Sequence, residues 1–359
     1  MLGRMIRNLA LLLVATFVSL LLAELAIHVD LVPNTEFVAS DSWWKERWHR
    51  KKRGANPREF VKLDPDLGWI VAADLDDLEY RDVHINTNST HMRGTREYPL
   101  EPSGVPRVVA VGDSYTFGEC AADDETFPAV MEERLGAEVL NLGVMGYGQD
   151  QALLRMKRDG LPYRPDAVVF GFHWSDMRRN RLSFRDYGKP RFRLSDAGLV
   201  LENVPVPPPE SYSPQFWPPR LWNYVESFRD SRRWMEEIDP EIHALSRAIV
   251  HRMAEDARAG ATELVVVLLP SPHNVMMKGA YGGWAWFQEL CQEGEEQGTF
   301  RCVDPTPRFR EVLPDDEPGI RAHFDCHYSP TLYRAVGEVV AEALSREMPE
   351  RFALGGRRP

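Results

Sequence analysis

The 359-residue sequence has little cysteine, no excess of positive charge and only one long apolar run. Its formal net charge is -11, with 54 acidic against 43 basic residues, and this balance argues against a nucleic-acid partner. No Cys-x-x-Cys spacing occurs among the four cysteines, which argues against a zinc site. The glycine-rich segment 143–148 lacks both the Gly-x-Gly-x-x-Gly spacing and a following Lys-Ser/Thr, so it does not indicate a phosphate-binding loop.

The single long apolar run lies at the amino terminus, from Leu9 to Ala23. It matches the core of a signal peptide, but an Ala-x-Ala cleavage site ending at Ala26 would need a small residue where Glu24 stands. Residues 1–29 are therefore predicted to form an uncleaved signal anchor, a single transmembrane helix. A buried amphipathic helix is the alternative.

Residues 30–62 have no apolar period and are predicted to be a juxtamembrane linker. Trp43, Trp44 and Trp48 alternate there with lysines and arginines, a pattern typical of a membrane–water interface or of a solvated linker. Arg4 and Arg7 favour a cytoplasmic amino terminus. The lysines and arginines of the linker lie on the other side of the apolar run, near the edge of the range in which the positive-inside rule counts them, and favour the opposite orientation.

The rest of the chain is organised around residues 107–119. Arg107 to Val111 is a short apolar run that predicts a buried strand, and Gly112, Asp113 and Ser114 follow at its carboxyl end. Ligands of open α/β sheets bind at this edge, so Ser114 is placed to face a crevice. The alternative is an ordinary turn, because these residue types are common in turns.

Strands and helices alternate downstream, which predicts an α/β fold: a doubly wound parallel sheet of about five strands with helices on both faces. The predicted strands begin at Arg107, Glu138, Ala167, Glu263 and Phe300. This domain is predicted over residues 63–350, with an insertion at about 182–240, and residues 351–359 form a tail. The insertion is interpreted either as a cap over the site or as a surface excursion.

Four blocks in order resemble those of the SGNH hydrolases, also called the GDSL family. They are Gly112-Asp113-Ser114, Asn141-Leu142-Gly143, Gly171 to Asp176, and Asp325-Cys326-His327. The resemblance covers roughly residues 64–345. It implies the flavodoxin-like fold described above and, from the lead-in before the first block, a membrane-anchored enzyme with its catalytic domain outside the cytoplasm, in the periplasm.

The resemblance also implies a catalytic triad. Ser114 is the nucleophile, His327 the general base and Asp325 the acid that orients the imidazole. The family's acid stands three residues before the histidine, where this chain has Phe324, so Asp325 is taken at two residues before, with Asp315 and Asp316 as alternatives. A second histidine, His323, is expected to be a solvated loop residue.

The oxyanion hole implied by the resemblance consists of the backbone N–H groups of Ser114 and Gly143 and a side chain of the third block. Ser175 occupies the position of the family's asparagine, and its shorter side chain is expected to reach the oxyanion poorly. A ring N–H of His173 or Trp174 is the competing donor. Asp176 and Asn180 are expected to brace this loop.

The predicted reaction is hydrolysis of O-acyl esters of an envelope glycan or lipid through an acyl-enzyme, without a metal or organic cofactor. Two alternatives are an O-acyltransferase acting on an extracytoplasmic polysaccharide and a binding protein that has lost turnover. In an oxidising compartment, Cys291–Cys302 is the favoured disulfide because the two residues are close in sequence. Cys120–Cys326 would follow if Ser114 and His327 meet, although the sequence leaves three pairings open.

Overall fold

The computed structural model describes residues 2–28, 41, 44–45, 60–208, 211, 221–222, 239–277 and 282–354. The strands are β1 Val61–Asp64, β2 Gly68–Val71, β3 Leu78–Tyr80, β4 Val83–Ile85, β5 Arg107–Val111, β6 Glu138–Asn141, β7 Ala167–Phe172, β8 Phe184–Arg185, β9 Tyr187–Gly188, β10 Arg191–Ser195, β11 Gly198–Glu202, β12 Glu263–Leu268 and β13 Arg301–Val303. The helices are α1 Leu2–His28, α2 Ser114–Phe117, α3 Phe127–Leu135, α4 Gln149–Arg155, α5 Trp174–Arg179, α6 Pro240–Ala259, α7 Pro272–Met276, α8 Gly282–Glu296, α9 Thr306–Val312, α10 Glu317–Ala322 and α11 Pro330–Glu347.

Five parallel strands form the central sheet in the order β13-β12-β7-β5-β6. Numbered by their position in the chain, these strands run 2-1-3-4-5 across the sheet, which is the flavodoxin-like order. The chain reverses its direction of winding next to β5, the strand that leads to Ser114. The predicted doubly wound sheet is confirmed, with all five strands where the apolar runs place them.

Both faces of this sheet are covered by helices, because its strands are buried on both sides. Val109 and Val111 pack into one apolar cluster with helices α4, α6 and α8. Val108 and Val169 point to the opposite cluster, which includes residues of α3, α9 and α11. Alternate residues of β5 therefore serve opposite cores, as the period of a strand requires.

Two small antiparallel hairpins precede the sheet, β1–β2 and β3–β4. The first begins at Val61, so it starts inside the stretch predicted as linker. Trp69 of β2 donates its indole N–H to the carbonyl of Met145 at 3.0 Å, and the hydroxyl of Tyr147 donates to the carbonyl of Trp69 at 2.5 Å. These bonds fix the lead-in against the loop that follows β6.

The insertion contains two further hairpins, β8–β9 and β10–β11, which the loose sequence pattern did not predict. Lys189, between them, is buried and ion-paired with the buried carboxylate of Asp150 at the start of α4. The spacing of apolar residues from Leu221 to Ile238 predicts a helix, and this segment lies outside the described residues except for its first two positions.

The amino-terminal helix α1 is apolar along most of its length. Residues Leu2–Ile27 include an 18-residue window with a mean hydropathy of 2.5, none of it buried in the protein. The helix is long and apolar enough to cross a membrane, and a secretory signal sequence has the same character.

Candidate active site

The nucleophile candidate lies on a tight turn at the carboxyl end of β5. Gly112 has a φ of 155°, and a Cβ atom there would come within 2.2 Å of the Thr116 hydroxyl. Asp113 caps helix α2 by accepting a hydrogen bond from the Tyr115 N–H at 2.9 Å, and α2 ends at Gly118 in a left-handed conformation. Ser114 therefore begins a one-turn helix, and it is 4% exposed.

His327 contacts this serine from a distant part of the chain, the loop between α10 and α11. Its Nε2 atom lies 2.7 Å from the Oγ atom of Ser114, across 213 residues of sequence. Burial lowers the pKa of His327 below its usual value, and this effect outweighs the opposing charges of Glu119 and Asp113. The imidazole is therefore neutral near pH 7 and able to accept the serine proton.

Asp325 is exposed, and among the described residues it has no hydrogen bond or ion pair. Phe324 packs towards the core on one side of it, and Cys326 is bonded to Cys120 on the other, so the side chain between them faces outward. The Nδ1 atom of His327 lies 3.8 Å from the sulfur of Cys326. The structure thus brings Ser114 and His327 together and leaves Asp325 outside the contact.

The alternative acids are also placed away from His327. Asp316 caps helix α10 by accepting from the Gly319 N–H at 2.8 Å, and Asp315 is exposed. His323 bonds the hydroxyl of Ser329 at 2.7 Å, which makes it a structural residue of the loop.

The carboxylate next to His327 is that of Glu119, which the sequence analysis did not select. Its Oε2 atom lies 3.6 Å from Nε2 of His327. The signal for it in the sequence is its position directly after Gly118, within the same block as Ser114.

Two of the predicted oxyanion donors lie beside Ser114. The N–H of Ser114 is in the first turn of α2, where helical N–H groups have no acceptor within the helix. Gly143 touches the nucleophile turn so closely that a Cβ atom there would lie 2.2 Å from the Phe117 nitrogen. Its N–H donates to the side-chain oxygen of Asn141 at 3.0 Å, so this donor is engaged within the protein.

Ser175 is occupied by its neighbour His173. The Ser175 Oγ atom lies 2.7 Å from Nδ1 of His173, and the Ser175 N–H also donates to that nitrogen at 3.4 Å. Burial lowers the pKa of His173 to about 4, so the ring is neutral and carries its proton on Nε2. That Nε2 and the indole nitrogen of Trp174 are buried and have no partner among the described residues, which makes them the unused donors of the third block.

Arg179 holds the third block against the nucleophile turn. Its Nη1 atom donates to Asp113 at 3.0 Å, to Asp176 at 2.6 Å and to the carbonyl of Tyr147 at 2.8 Å. The ligand atoms of Asp113, His173 and Asp176 lie within 4.8 Å of one another, but the Arg179 guanidinium already pairs with both carboxyl groups. This cluster therefore braces the loop, as expected for Asp176, and Asn180 donates to Gln149 at 2.9 Å.

The pKa values of Asp113 and Asp176 are shifted in opposite directions. Burial would raise the pKa of Asp113, but Arg179 and other nearby groups bring it below its usual value. Burial and the charge of Asp113 raise the pKa of Asp176 well above its usual range. Asp113 therefore loses its proton at a lower pH than Asp176, so the first negative charge beside Arg179 lies on Asp113.

Both expected disulfides are present. Cys291–Cys302 links α8 to β13, and Cys120–Cys326 links the residue after Glu119 to the residue before His327. Cys120 has a φ of 69°, in the left-handed region that favours glycine. The second bridge thus joins the two loops that carry the serine and the histidine.

No protein-family model matches the chain, and no curated protein matches it. Similar solved structures include a GDSL-like lipase from Bacteroides thetaiotaomicron, at 12% identity and a TM-score of 0.41, covering 70% of this chain and 93% of that one. A lipase/acylhydrolase from Enterococcus faecalis matches at 13% identity and a TM-score of 0.36, covering 71% and 100%. The acetyl xylan esterase AlAXEase matches at 13% identity and a TM-score of 0.41, covering 66% and 99%.

Proposed function

We propose that this protein is a membrane-anchored serine esterase of the SGNH type that hydrolyses O-acyl esters. The observation that carries the proposal is the 2.7 Å contact between His327 Nε2 and Ser114 Oγ at the carboxyl edge of a doubly wound sheet. Serine is a weak nucleophile by itself, and a neutral imidazole at hydrogen-bond distance activates it.

In the first half of the proposed reaction, Ser114 Oγ attacks the ester carbonyl and its proton moves to Nε2 of His327. The tetrahedral intermediate carries its charge on the former carbonyl oxygen, where the N–H of Ser114 is proposed to donate. The carbon–oxygen bond to the alcohol then breaks, and the alcohol oxygen takes the proton from Nε2. The acyl group remains on Ser114.

The second half repeats these steps with water as the nucleophile. His327 takes a proton from the water, the hydroxide adds to the acyl carbon, and the carbon–oxygen bond to Ser114 breaks as the proton returns to Oγ. The ring of Tyr115 lies 4.6 Å from that of His327 and 4.5 Å from that of His173, so it packs against both imidazoles and leaves the His327 side chain 17% exposed for the approach of water. No step requires a cofactor.

Helix α1 and the two disulfides support a proposed location. In this proposal helix α1 is a single-pass anchor and the catalytic domain lies outside the cytoplasm. The apolar character of α1 and the two disulfides, which are typical of an oxidising compartment, support it. An enzyme held at that membrane surface would meet acylated envelope glycans or lipids, and these are the proposed substrates.

A fluorophosphonate probe tests the proposal on the full chain in detergent. We expect covalent labelling of the parent at Ser114, hydrolysis of a short-chain aryl ester, and neither with Ser114→Ala. A folded parent that is not labelled and does not turn over would leave a binding protein as the better description. Product analysis with and without a glycan acceptor separates hydrolysis from the predicted alternative, acyl transfer.

A further inference from the structure

Glu119 is a buried carboxylate in contact with the proposed base. It is 4% exposed, and both its backbone N–H and its backbone carbonyl are hydrogen-bonded. Its N–H donates to the carbonyl of Ser114 at 2.9 Å, and its own carbonyl accepts from the Tyr333 hydroxyl at 3.2 Å. The backbone bonds thus tie its position to that of the nucleophile turn.

The side chain of Glu119 is oriented by residues from the β3–β4 hairpin. Oε1 accepts a hydrogen bond from the Tyr80 hydroxyl at 2.7 Å, and it lies 3.3 Å from Nε of Arg81. With Oε1 engaged in this way, Oε2 is directed at His327, at 3.6 Å from Nε2. The contact is longer than a hydrogen bond in this state, in which Nε2 is turned to Ser114.

We propose that Glu119, and not the Asp325 that the family resemblance implies, is the carboxylate that acts on His327, and that it stabilises the protonated imidazole during the reaction. The inference rests on the proposed esterase function and adds a positioning residue to it. When Ser114 attacks, its proton moves to Nε2 and the ring becomes a cation. A buried negative charge 3.6 Å away lowers the energy of that cation, whereas the exposed Asp325 has no contact through which to do so.

Other charged or titratable groups also face His327 and set the background for this effect. They are Asp113 and the Tyr115 ring from the nucleophile turn, Arg81 from the hairpin, and His173 and Arg179 from the third block. Arg179 is already neutralised by Asp113 and Asp176, and Arg81 is half-exposed. Glu119 is therefore the negative charge whose removal changes the field at Nε2 most.

The test compares Glu119→Gln with Asp325→Asn in the full chain, by kcat/KM for a short-chain aryl ester from pH 4 to 9. We expect Glu119→Gln to lower kcat/KM by about 10–100-fold and to move the acid limb to lower pH by about one unit. The direction follows because loss of a neighbouring negative charge lowers the pKa of the imidazolium, so the base stays neutral to a lower pH. Asp325→Asn is expected to stay within about threefold of the parent with an unmoved limb, since its side chain contacts nothing in the site.

If Glu119 had only a structural role, Glu119→Gln would reduce kcat/KM without moving the acid limb of the pH profile. Tyr80→Phe is the second variant, because it removes one donor that orients the carboxylate and leaves the carboxylate in place. We expect it to lose a few-fold in kcat/KM, and thermal unfolding checks that each variant is folded.

Two results overturn the inference alone. In the first, the parent is labelled at Ser114 but the acid limb of its pH profile does not move in Glu119→Gln. In the second, the acid limb moves in Asp325→Asn instead. A parent that fluorophosphonate does not label overturns the proposed function and this inference together, so the two failures are distinguishable.

Discussion

Two segments meet in the active site, and they are held in different ways. The nucleophile turn, residues 112–118, is buried, and consecutive backbone bonds fix it, including Phe117 N–H to Asp113 at 2.9 Å and Gly118 N–H to Ser114 at 3.0 Å. The histidine loop, residues 323–329, lies nearer the surface, and the His327 side chain is 17% exposed. Side chains hold this loop through the disulfide of Cys326 and the Tyr328 hydroxyl, which donates to the carbonyl of Pro270 at 2.7 Å.

The two segments therefore position their active-site residues by different kinds of contact. A residue on the nucleophile turn is placed by the sheet itself, so local changes act through backbone geometry. A residue on the histidine loop is placed by a few long-range contacts, each of which can be removed singly. The predictions below use this contrast, from the largest expected effect to the smallest.

The largest effect is expected from removing either reacting group. Ser114→Ala and His327→Ala should each lower kcat for a short-chain aryl ester by more than about 10³-fold, because the members of such a unit act together. His323→Ala is the matched control on the histidine loop, and its activity should remain close to that of the parent. Activity of Ser114→Ala within about tenfold of the parent would refute the assignment.

Gly143→Ala should disturb the nucleophile turn without touching a reacting group. Its Cβ atom would lie 2.2 Å from the Phe117 nitrogen, so the backbone beside Ser114 must shift. A shift of about 1 Å in a catalytic group costs about 10²-fold in rate, which is the loss expected here. Gly260→Ala is the control, because its Cβ meets the nearest atom at 3.4 Å, and full activity in Gly143→Ala would show that the turn tolerates movement.

The two disulfides should behave differently when each is replaced by a pair of serines. Cys120→Ser with Cys326→Ser should lower activity by about tenfold, because it frees the histidine loop, and it should also lower the melting temperature. The chain-entropy relation gives about 5 kcal/mol for its separation of 206 residues and about 3 kcal/mol for the 11 residues of Cys291–Cys302. The double variant Cys291→Ser with Cys302→Ser should have a lower melting temperature and unchanged activity. Equal activity in both double variants, measured with melting curves, would remove the special role of the first bridge.

The smallest effect concerns the third block. His173→Ala should lower kcat by about tenfold, which is less than the roughly 10²–10³-fold cost of losing an established oxyanion donor, because it removes a ring N–H that has no partner among the described residues and competes for that role. Ser175→Ala should cost about twofold, since the Ser175 backbone N–H still bonds Nδ1 and keeps the proton on Nε2. A loss in Ser175→Ala as large as that in His173→Ala would show that the serine hydroxyl itself donates. Steady-state kinetics on the two variants decides between them.

The elements that the sequence predicted well are those with local causes. The buried β-branched run before Gly112 predicts β5 and the position of Ser114 at its end, and repeated strand–helix alternation predicts a doubly wound parallel sheet. The flavodoxin-like type of sheet and the pairing of Ser114 with His327 were expected from the family resemblance. The hairpins from Phe184 to Glu202 were missed because their strands are only two to five residues long, which is too short for a periodic pattern to be distinguished.

The identity of the carboxylate beside the base was accessible only from the tertiary structure. Sequence proximity favoured Asp325, but its side chain is exposed, between Phe324, which packs against the core, and Cys326, which is bonded to Cys120. Glu119 is brought to His327 by Tyr80 and Arg81, which lie about forty residues earlier. No local pattern encodes such a contact.

The sequence by itself determined the sheet, the turn that presents Ser114 and the apolar character of α1, because strand propensity, glycine geometry and hydropathy act over neighbouring residues. The tertiary structure alone decided which groups surround His327 and why Gly143 must be glycine. These depend on groups that approach from distant parts of the chain, and their distances are set by the packing of the whole domain.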